Sequence, residues 1–176
     1  MLKDLYRLFR VKDYYHTVVF ATVAGNIISG YSVLVLPLVV ANILYMAFSF
    51  SFNDTQDYVE DRKVAGKTNV VARGKMKQRN ALLLSALSLV ASIAIVAWIK
   101  SSLLLLYVPA VVLSFLYSWR RVRLKTKPVV DVIIHGFAAG GLFALSGYML
   151  SKPPDVTAFY MFSAVFFVSA AVEMIN

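Results

Sequence analysis

The 176-residue sequence contains no cysteine. A disulfide framework, a zinc–thiolate site and a thiol nucleophile are therefore excluded. Charge is scarce as well: 15% of residues are charged and 60% are hydrophobic, against about 25% and 45–50% in an ordinary soluble domain. Neither GxxxxGK[ST] nor GxGxxG occurs, so no glycine loop cradles a phosphate. The long apolar blocks do not alternate in polarity, which argues against a membrane β-barrel. The first 13 residues are polar and charged, and no small-residue cleavage site follows a short apolar run, so no cleavable signal is predicted. Acids are few, nine against 18 Lys and Arg, for a net charge of +9. In a soluble chain that excess would suggest nucleic acid. A composition this apolar excludes a soluble domain, a disordered chain and a nucleic-acid-binding module, and the basic residues need another explanation.

Six apolar segments are present: Tyr14–Ser29, Ser32–Phe52, Ala81–Ile99, Ser102–Ser118, Val129–Leu150 and Val156–Ile175. Ser32–Phe52 alone runs 21 residues without a charge, and about 20 helical residues cross the ~30 Å hydrocarbon core. Helices are the expected state, because a lipid-exposed strand leaves its backbone unpaired. The predicted fold class is all-α, a polytopic transmembrane helix bundle of about six spans forming a single domain over residues 1–176. The N-terminal tail and the loops after the second and fourth segments hold 16 basic residues, and the opposite loops hold only Lys100 and Lys152. The positive-inside rule then puts the N-terminus and these two loops in the cytoplasm, at the cell membrane in a prokaryote. Six spans return the C-terminus to the same face. Orientation and contact with anionic membrane lipids account for most of the basic residues. Nothing in the sequence specifies an oligomeric state.

Orientation does not account for the acids. Asp54, Asp57, Glu60 and Asp61 fall within eight residues at the end of the second segment. On a continued helix, Asp54, Asp57 and Asp61 stand at i, i+3 and i+7 and share a face, with Asn53 on its edge. Three stacked carboxylates at a helix C-terminus repel one another and oppose the macrodipole. A divalent ion is the natural neutraliser: carboxylate and amide oxygens suit Mg²⁺, which also engages substrate phosphates. Arg62, Lys63, Lys67 and Arg73 follow directly, and Arg120, Arg121, Arg123, Lys125 and Lys127 lie at the same membrane face. Acids holding Mg²⁺, ringed by bases and walled by apolar helix, suit a diphosphate with a hydrocarbon tail better than a nucleotide. The bland alternative is a solvated loop in which the acids pair with neighbouring lysines.

The run Asn53-Asp54-x-x-Asp57-x-x-x-Asp61 resembles the first aspartate-rich motif of the UbiA superfamily of intramembrane prenyltransferases, and it falls at the same place, the cytoplasmic end of the second span. Leu116-Tyr117-Ser118, Arg123-Leu124-Lys125 and Pro128 are similar to the pattern after that family's fourth span. The resemblance implies a Mg²⁺-dependent transfer of a prenyl group from an allylic prenyl diphosphate to a lipophilic acceptor. It implies Asn53, Asp54, Asp57 and Asp61 as metal residues, with the three aspartates catalytic. Asn53, Arg73, Tyr117, Arg123 and Lys125 are the implied substrate-binding residues. Two departures stand out. The Arg-Pro pair common after the first motif is absent from Gly66–Gly74, which leaves the acceptor open. The family has about nine spans and a second aspartate-rich motif. Aligning Asn176 with Asn53, 123 residues apart, places that motif at or just after Asn176, so the chain is expected to be the C-terminally incomplete part of a nine-span fold.

Other residues have plainer readings. Tyr117, Trp98 and Trp119 suit an interfacial aromatic belt, although Tyr117 also suits a diphosphate or cation contact. Asp131 and His135 form an i, i+4 pair, structural or acceptor-binding. Gly136, Gly140, Gly141 and Gly147 suit close helix packing. Asn26 is interhelical glue or a groove residue, His16 is ambiguous, and Glu173 is expected to face the chamber of Asp54. Two other functions compete: a non-catalytic cation-binding transport or assembly subunit, and a CDP-alcohol phosphotransferase, whose Asp-Gly opening and companion residues are missing here.

Overall fold

The structure, a computed structural model, describes residues 2–175; Asn176, and with it the repeat to Asn53, lies outside them. Eight α-helices follow in order: α1 (Leu2–Phe9), α2 (Val11–Ser29), α3 (Val35–Asp61), α4 (Gln78–Ile99), α5 (Leu104–Ser118), α6 (Pro128–Ile134), α7 (Leu142–Tyr148) and α8 (Val156–Ile175). A π-helical turn, His135–Gly141, joins α6 and α7 into one span. Short 3₁₀ turns, Ser101–Leu103 and Leu124–Thr126, precede α5 and α6. No strand occurs among the described residues.

Five of the six expected segments are helices long and apolar enough to cross a membrane: Val35–Asp61, Gln78–Ile99, Ser101–Ser118, Pro128–Tyr148 and Val156–Ile175. The first expected segment, α2, is 19 residues long and carries Lys12, Asp13, His16, Thr22 and Asn26. Those polar groups dilute its apolar character. It is tied instead to α7 by backbone proximity: a Cβ on Gly25 would fall on the Ala144 carbonyl, and one on Gly147 on the Thr22 carbonyl. Gly136, Gly140 and Gly141 similarly admit Phe166, Ser169 and Phe162 of α8, so the expected packing role of these glycines is realised against two different helices.

Helix α3 is the central post. Its most apolar window is 56% buried within the bundle, against 11% for α8. Polar groups stitch neighbours to it where water cannot. The Asn42 amide donates to Thr22 Oγ1 (2.9 Å) and Ser146 Oγ (3.4 Å) and accepts from the Tyr107 hydroxyl. Ser92 of α4 donates to the Ala41 carbonyl at 2.8 Å. Asn26 is buried, and its side-chain oxygen accepts from the Ser32 N–H at 3.1 Å, so it braces the turn after α2.

The N-terminal tail, expected only to orient the chain, contains α1. Leu8 is fully buried and packs with Val70, Val71 and Ala81. This places α1 under the loop that follows α3 and brings its neighbour Arg10 to the end of the central helix.

Candidate active site

Helix α3 runs unbroken to Asp61, so the acids share a face as the spacing predicted. Each then meets a different set of partners. Asp54 is fully buried, and its Oδ1 accepts from Arg10 Nη2 at 2.7 Å. Its Oδ2 is buried with no hydrogen-bond partner. Asp57 is bonded by Lys125 Nζ and by Arg123 Nη2, the latter at 3.3 Å. Asp61 Oδ2 accepts from the Asn69 amide at 3.0 Å, and Lys67 Nζ stands 3.8 Å from Oδ1. Asn53 Oδ1 accepts from Lys125 Nζ at 2.7 Å and from Ser118 Oγ at 3.1 Å. Glu60 faces outward to Arg120 (3.4 Å) and Arg123 (3.3 Å).

The backbone reflects this convergence. Among the described residues, three non-glycine residues have positive φ: Arg10 at 49°, Tyr31 at 60° and Arg123 at 47°. Two of the three are arginines that bond α3 acids. The left-handed region costs an ordinary side chain of order 1 kcal/mol. At both arginines the ion pairs hold the side chain where the chain reverses. Arg123 Nε is itself buried and unpaired.

Asn53 and Asp57 are thus brought together with Arg123 and Lys125, while Asp54 and Asp61, on the same helix face, keep separate partners. Arg73 is not brought to them: it is exposed, and its guanidinium donates to the Lys67 carbonyl at 2.9 Å and the Val64 carbonyl at 3.3 Å. Those bonds close the loop on itself. Tyr117 stands in the wall of the adjoining cavity, its ring edge-on to His135 at 5.5 Å. Glu173 comes to His135 Nε2, 3.6 Å away.

Two residues of the site escaped the sequence reading. Arg10 was counted only toward orientation. Asn69 is fully buried and makes four bonds, donating to the Asp54 carbonyl (2.8 Å) and to Asp61, and accepting from the Val71 (2.9 Å) and Ala72 (3.1 Å) N–H groups. Its signal was an apolar triplet, Val70-Val71-Ala72, inside a charged loop, which marks a buried turn.

Beneath the acids lies a cavity of about 120 Å³, opening between α3, α5 and the π-helical turn. Asn53, Ser118 and Tyr117 line its acid end, and Tyr45, Phe50 and Ile134 its apolar walls. The arrangement offers hard oxygen donors and cations at one end and an apolar slot at the other.

The profile of the UbiA prenyltransferase family matches residues 15–176. A search of curated proteins finds no match. Among solved structures the chain is similar to a UbiA homologue from Archaeoglobus fulgidus bound to GPP and Mg²⁺, with TM-score 0.80 and 24% identity, covering 96% of this chain and 60% of that one. The same homologue bound to DMAPP and Mg²⁺ superposes with TM-score 0.79 at 24% identity, covering 96% of this chain and 61% of that one. A digeranylgeranylglyceryl phosphate synthase matches with TM-score 0.80 and 22% identity, covering 98% and 59%. The chain therefore spans about 60% of the length of these relatives. On the family match and the shared fold together, the chain belongs to the UbiA prenyltransferase family.

Proposed function

We propose that this chain provides the prenyl-diphosphate site of a membrane prenyltransferase, moving a prenyl group from an allylic diphosphate to a lipophilic acceptor. The observation that carries this reading is that Asn53 and Asp57 of α3 meet Lys125 and Arg123 beside an apolar cavity that Asn53 lines, with Asp54 and Asp61 on the same helix face. Asn53, Asp54, Asp57 and Asp61 would hold Mg²⁺. The donor set fits that ion: all its side chains offer hard oxygen ligands, and Asp54 Oδ2 is buried without a partner. Bound Mg²⁺ supplies the positive charge that lets carboxylates and diphosphate occupy one site.

The remaining work falls to residues of the chain. Lys125 and Arg123 now neutralise Asp57 and can turn to phosphate oxygens, with charge-assisted bonds that strengthen as the leaving group gains charge. Arg10 compensates Asp54 from below. Phe50, Tyr45 and Tyr117 wall the slot where the allylic carbon would ionise. The relatives' ligands, GPP and DMAPP with Mg²⁺, support this substrate class. The basic residues at the acid end favour a cytoplasmic placement for it.

The test uses the protein as encoded by its gene, reconstituted in lipid nanodiscs with Mg²⁺, isotope-labelled geranyl diphosphate and a lipid extract of the source cells. Labelled lipid and released diphosphate are the expected products. Neither forming, with or without Mg²⁺, would overturn the proposal and favour a non-catalytic cation-binding subunit.

A further inference from the structure

The cavity has a second polar wall that the diphosphate site does not use. His135 lines it at the first residue of the π-helical turn. Wide helical turns of this kind recur at functional sites. The turn's glycines let α8 approach until Ser169 meets Gly140, and Glu173 follows one helical turn later. The result is a cluster of Asp131, His135 and Glu173, whose ligand-type atoms lie within 4.8 Å of one another.

The hydrogen bonds fix which ring nitrogen is free. His135 Nδ1 faces Asp131 Oδ1 at 3.1 Å and the Asp131 carbonyl at 3.2 Å. A carbonyl and a carboxylate only accept, so Nδ1 carries the hydrogen. In the neutral ring Nε2 then holds the lone pair. Glu173 Oε2 stands 3.6 Å from Nε2, outside hydrogen-bond range but near enough to face any charge that arrives there. A proton taken up at Nε2 would leave a cation between two carboxylates. No lysine or arginine enters the cluster, in contrast to the acid end of α3, so it is poorly suited to an anion.

Resting on the prenyltransferase reading, we infer that His135 Nε2 takes the proton that the acceptor loses when it captures the allylic group, with Asp131 and Glu173 as positioning residues. The allylic C–O bond breaks and its electron pair leaves with the diphosphate. The acceptor's nucleophilic atom bonds to the allylic carbon. That acceptor sheds one proton, which passes to Nε2, and no electron is gained or lost overall. The reacting part of the acceptor is accordingly neutral and proton-bearing, because two carboxylates at this wall repel an anionic group.

The experiment follows two products from labelled geranyl diphosphate in the nanodisc assay: labelled lipid, which requires the acceptor, and diphosphate, which requires only ionisation. In His135→Gln the ratio of labelled lipid to diphosphate should fall at least tenfold, with label diverted to the free prenyl alcohol. Asp131→Asn should shift the ratio in the same direction by less. His135→Ala should regain lipid product when imidazole is added, an outcome that a purely structural histidine would not give. An unchanged ratio in both His135→Gln and Asp131→Asn, or no rescue by imidazole in a His135→Ala protein that still binds geranyl diphosphate, would overturn the inference. If the unmodified protein releases diphosphate but labels no lipid, this inference fails while the diphosphate site stands; if it releases none, the prenyltransferase reading fails first.

Discussion

The two ends of the bundle use charge differently. At the end away from the acids, Lys100 and Asp155 complete the fold. Lys100 Nζ donates to the Met149 carbonyl at 2.7 Å and closes the α4–α5 turn onto the end of α7. Asp155 accepts from the Ala158 N–H at 2.9 Å, capping α8, and from the Tyr148 hydroxyl at 2.8 Å. Those two bonds, the backbone one first, hold its carboxyl below the usual carboxylate range. At the acid end the polar groups exceed what the fold can use: Asp54 Oδ2 and Arg123 Nε remain buried and unpaired, and three carboxylates share one helix face. Buried polar atoms left without partners are destabilising. Among the described residues, the other buried side-chain atoms without a partner, Asn26 Nδ2 and Ser49 Oγ, belong to neutral groups. Unpaired atoms of charged groups occur at the acid end, and that surplus of charge marks the place where a ligand completes the bonding.

That contrast is open to attack by mutation, and the largest effect belongs to Asp57. Asp57→Ala should lower Mg²⁺-dependent diphosphate release by at least ~100-fold, equivalent to about 3 kcal/mol of lost transition-state stabilisation. Its melting temperature should hardly change, because Lys125 keeps its bond to Asn53 and Arg123 its bond to Glu60. Asp54→Ala should be as inactive but also less stable, because it strands Arg10. Equal melting curves for the two variants would mean that the Arg10–Asp54 pair contributes nothing to the fold.

Asn69→Ala should have an intermediate effect on both readouts. It removes the link between α3 and its following loop and leaves buried partners unsatisfied, at about 1–3 kcal/mol. Thermal denaturation should register that loss, and diphosphate release should fall about tenfold. Unaltered stability would remove Asn69 from the account of the loop.

Glu60→Ala sits at the acid end yet outside the shared face. Its pairs with Arg120 and Arg123 are exposed at the acid (43%), so the change should stay within roughly 0.5 kcal/mol. Diphosphate release within threefold of the unmodified protein is the expected result. A loss as large as that of Asp57→Ala would show that acid count, not the face, governs the site.

The smallest effect on activity is expected at the far end. Lys100→Ala and Asp155→Ala should leave diphosphate release unchanged and lower the melting temperature. Because the carboxyl of Asp155 is depressed in the folded state, its stabilisation is present above the unfolded value near pH 4 and is lost as pH falls through the lower folded value. Melting curves for Asp155→Asn should therefore converge on those of the unmodified protein as pH drops below about 4. A constant gap down to pH 2 would contradict the cap.

Local patterns were readable in advance, and nonlocal partners were not. Helix α3, its continuation to Asp61 and the common face of its acids followed from period and charge. Lys125 and Arg123 were singled out from five neighbouring bases by the resemblance to the pattern after the family's fourth span. Arg10 could not be singled out from four basic tail residues without knowing that Leu8 docks α1 beneath the loop. Arg73 looked like a phosphate ligand by proximity in sequence, but its reach is taken up by carbonyls of its own loop. The Asp131–His135 pair was visible as i, i+4, whereas Glu173 depends on the close approach of α8 to the glycines of the π-helical turn. Helix α2, expected as the first span, packs on α3 through Thr22, which accepts from Asn42, and on α7 through Gly25, while its Lys12, Asp13 and His16 stay exposed.

The central claim, that the surplus at the acid end is a metal-dependent diphosphate site, is tested most directly by equilibrium binding of geranyl diphosphate to the nanodisc-embedded protein, with and without Mg²⁺. Binding should require Mg²⁺, weaken at least ~100-fold in Asp57→Ala and persist unchanged in Asp155→Ala. Equal affinity with and without Mg²⁺, or unaltered binding in Asp57→Ala, would contradict the account.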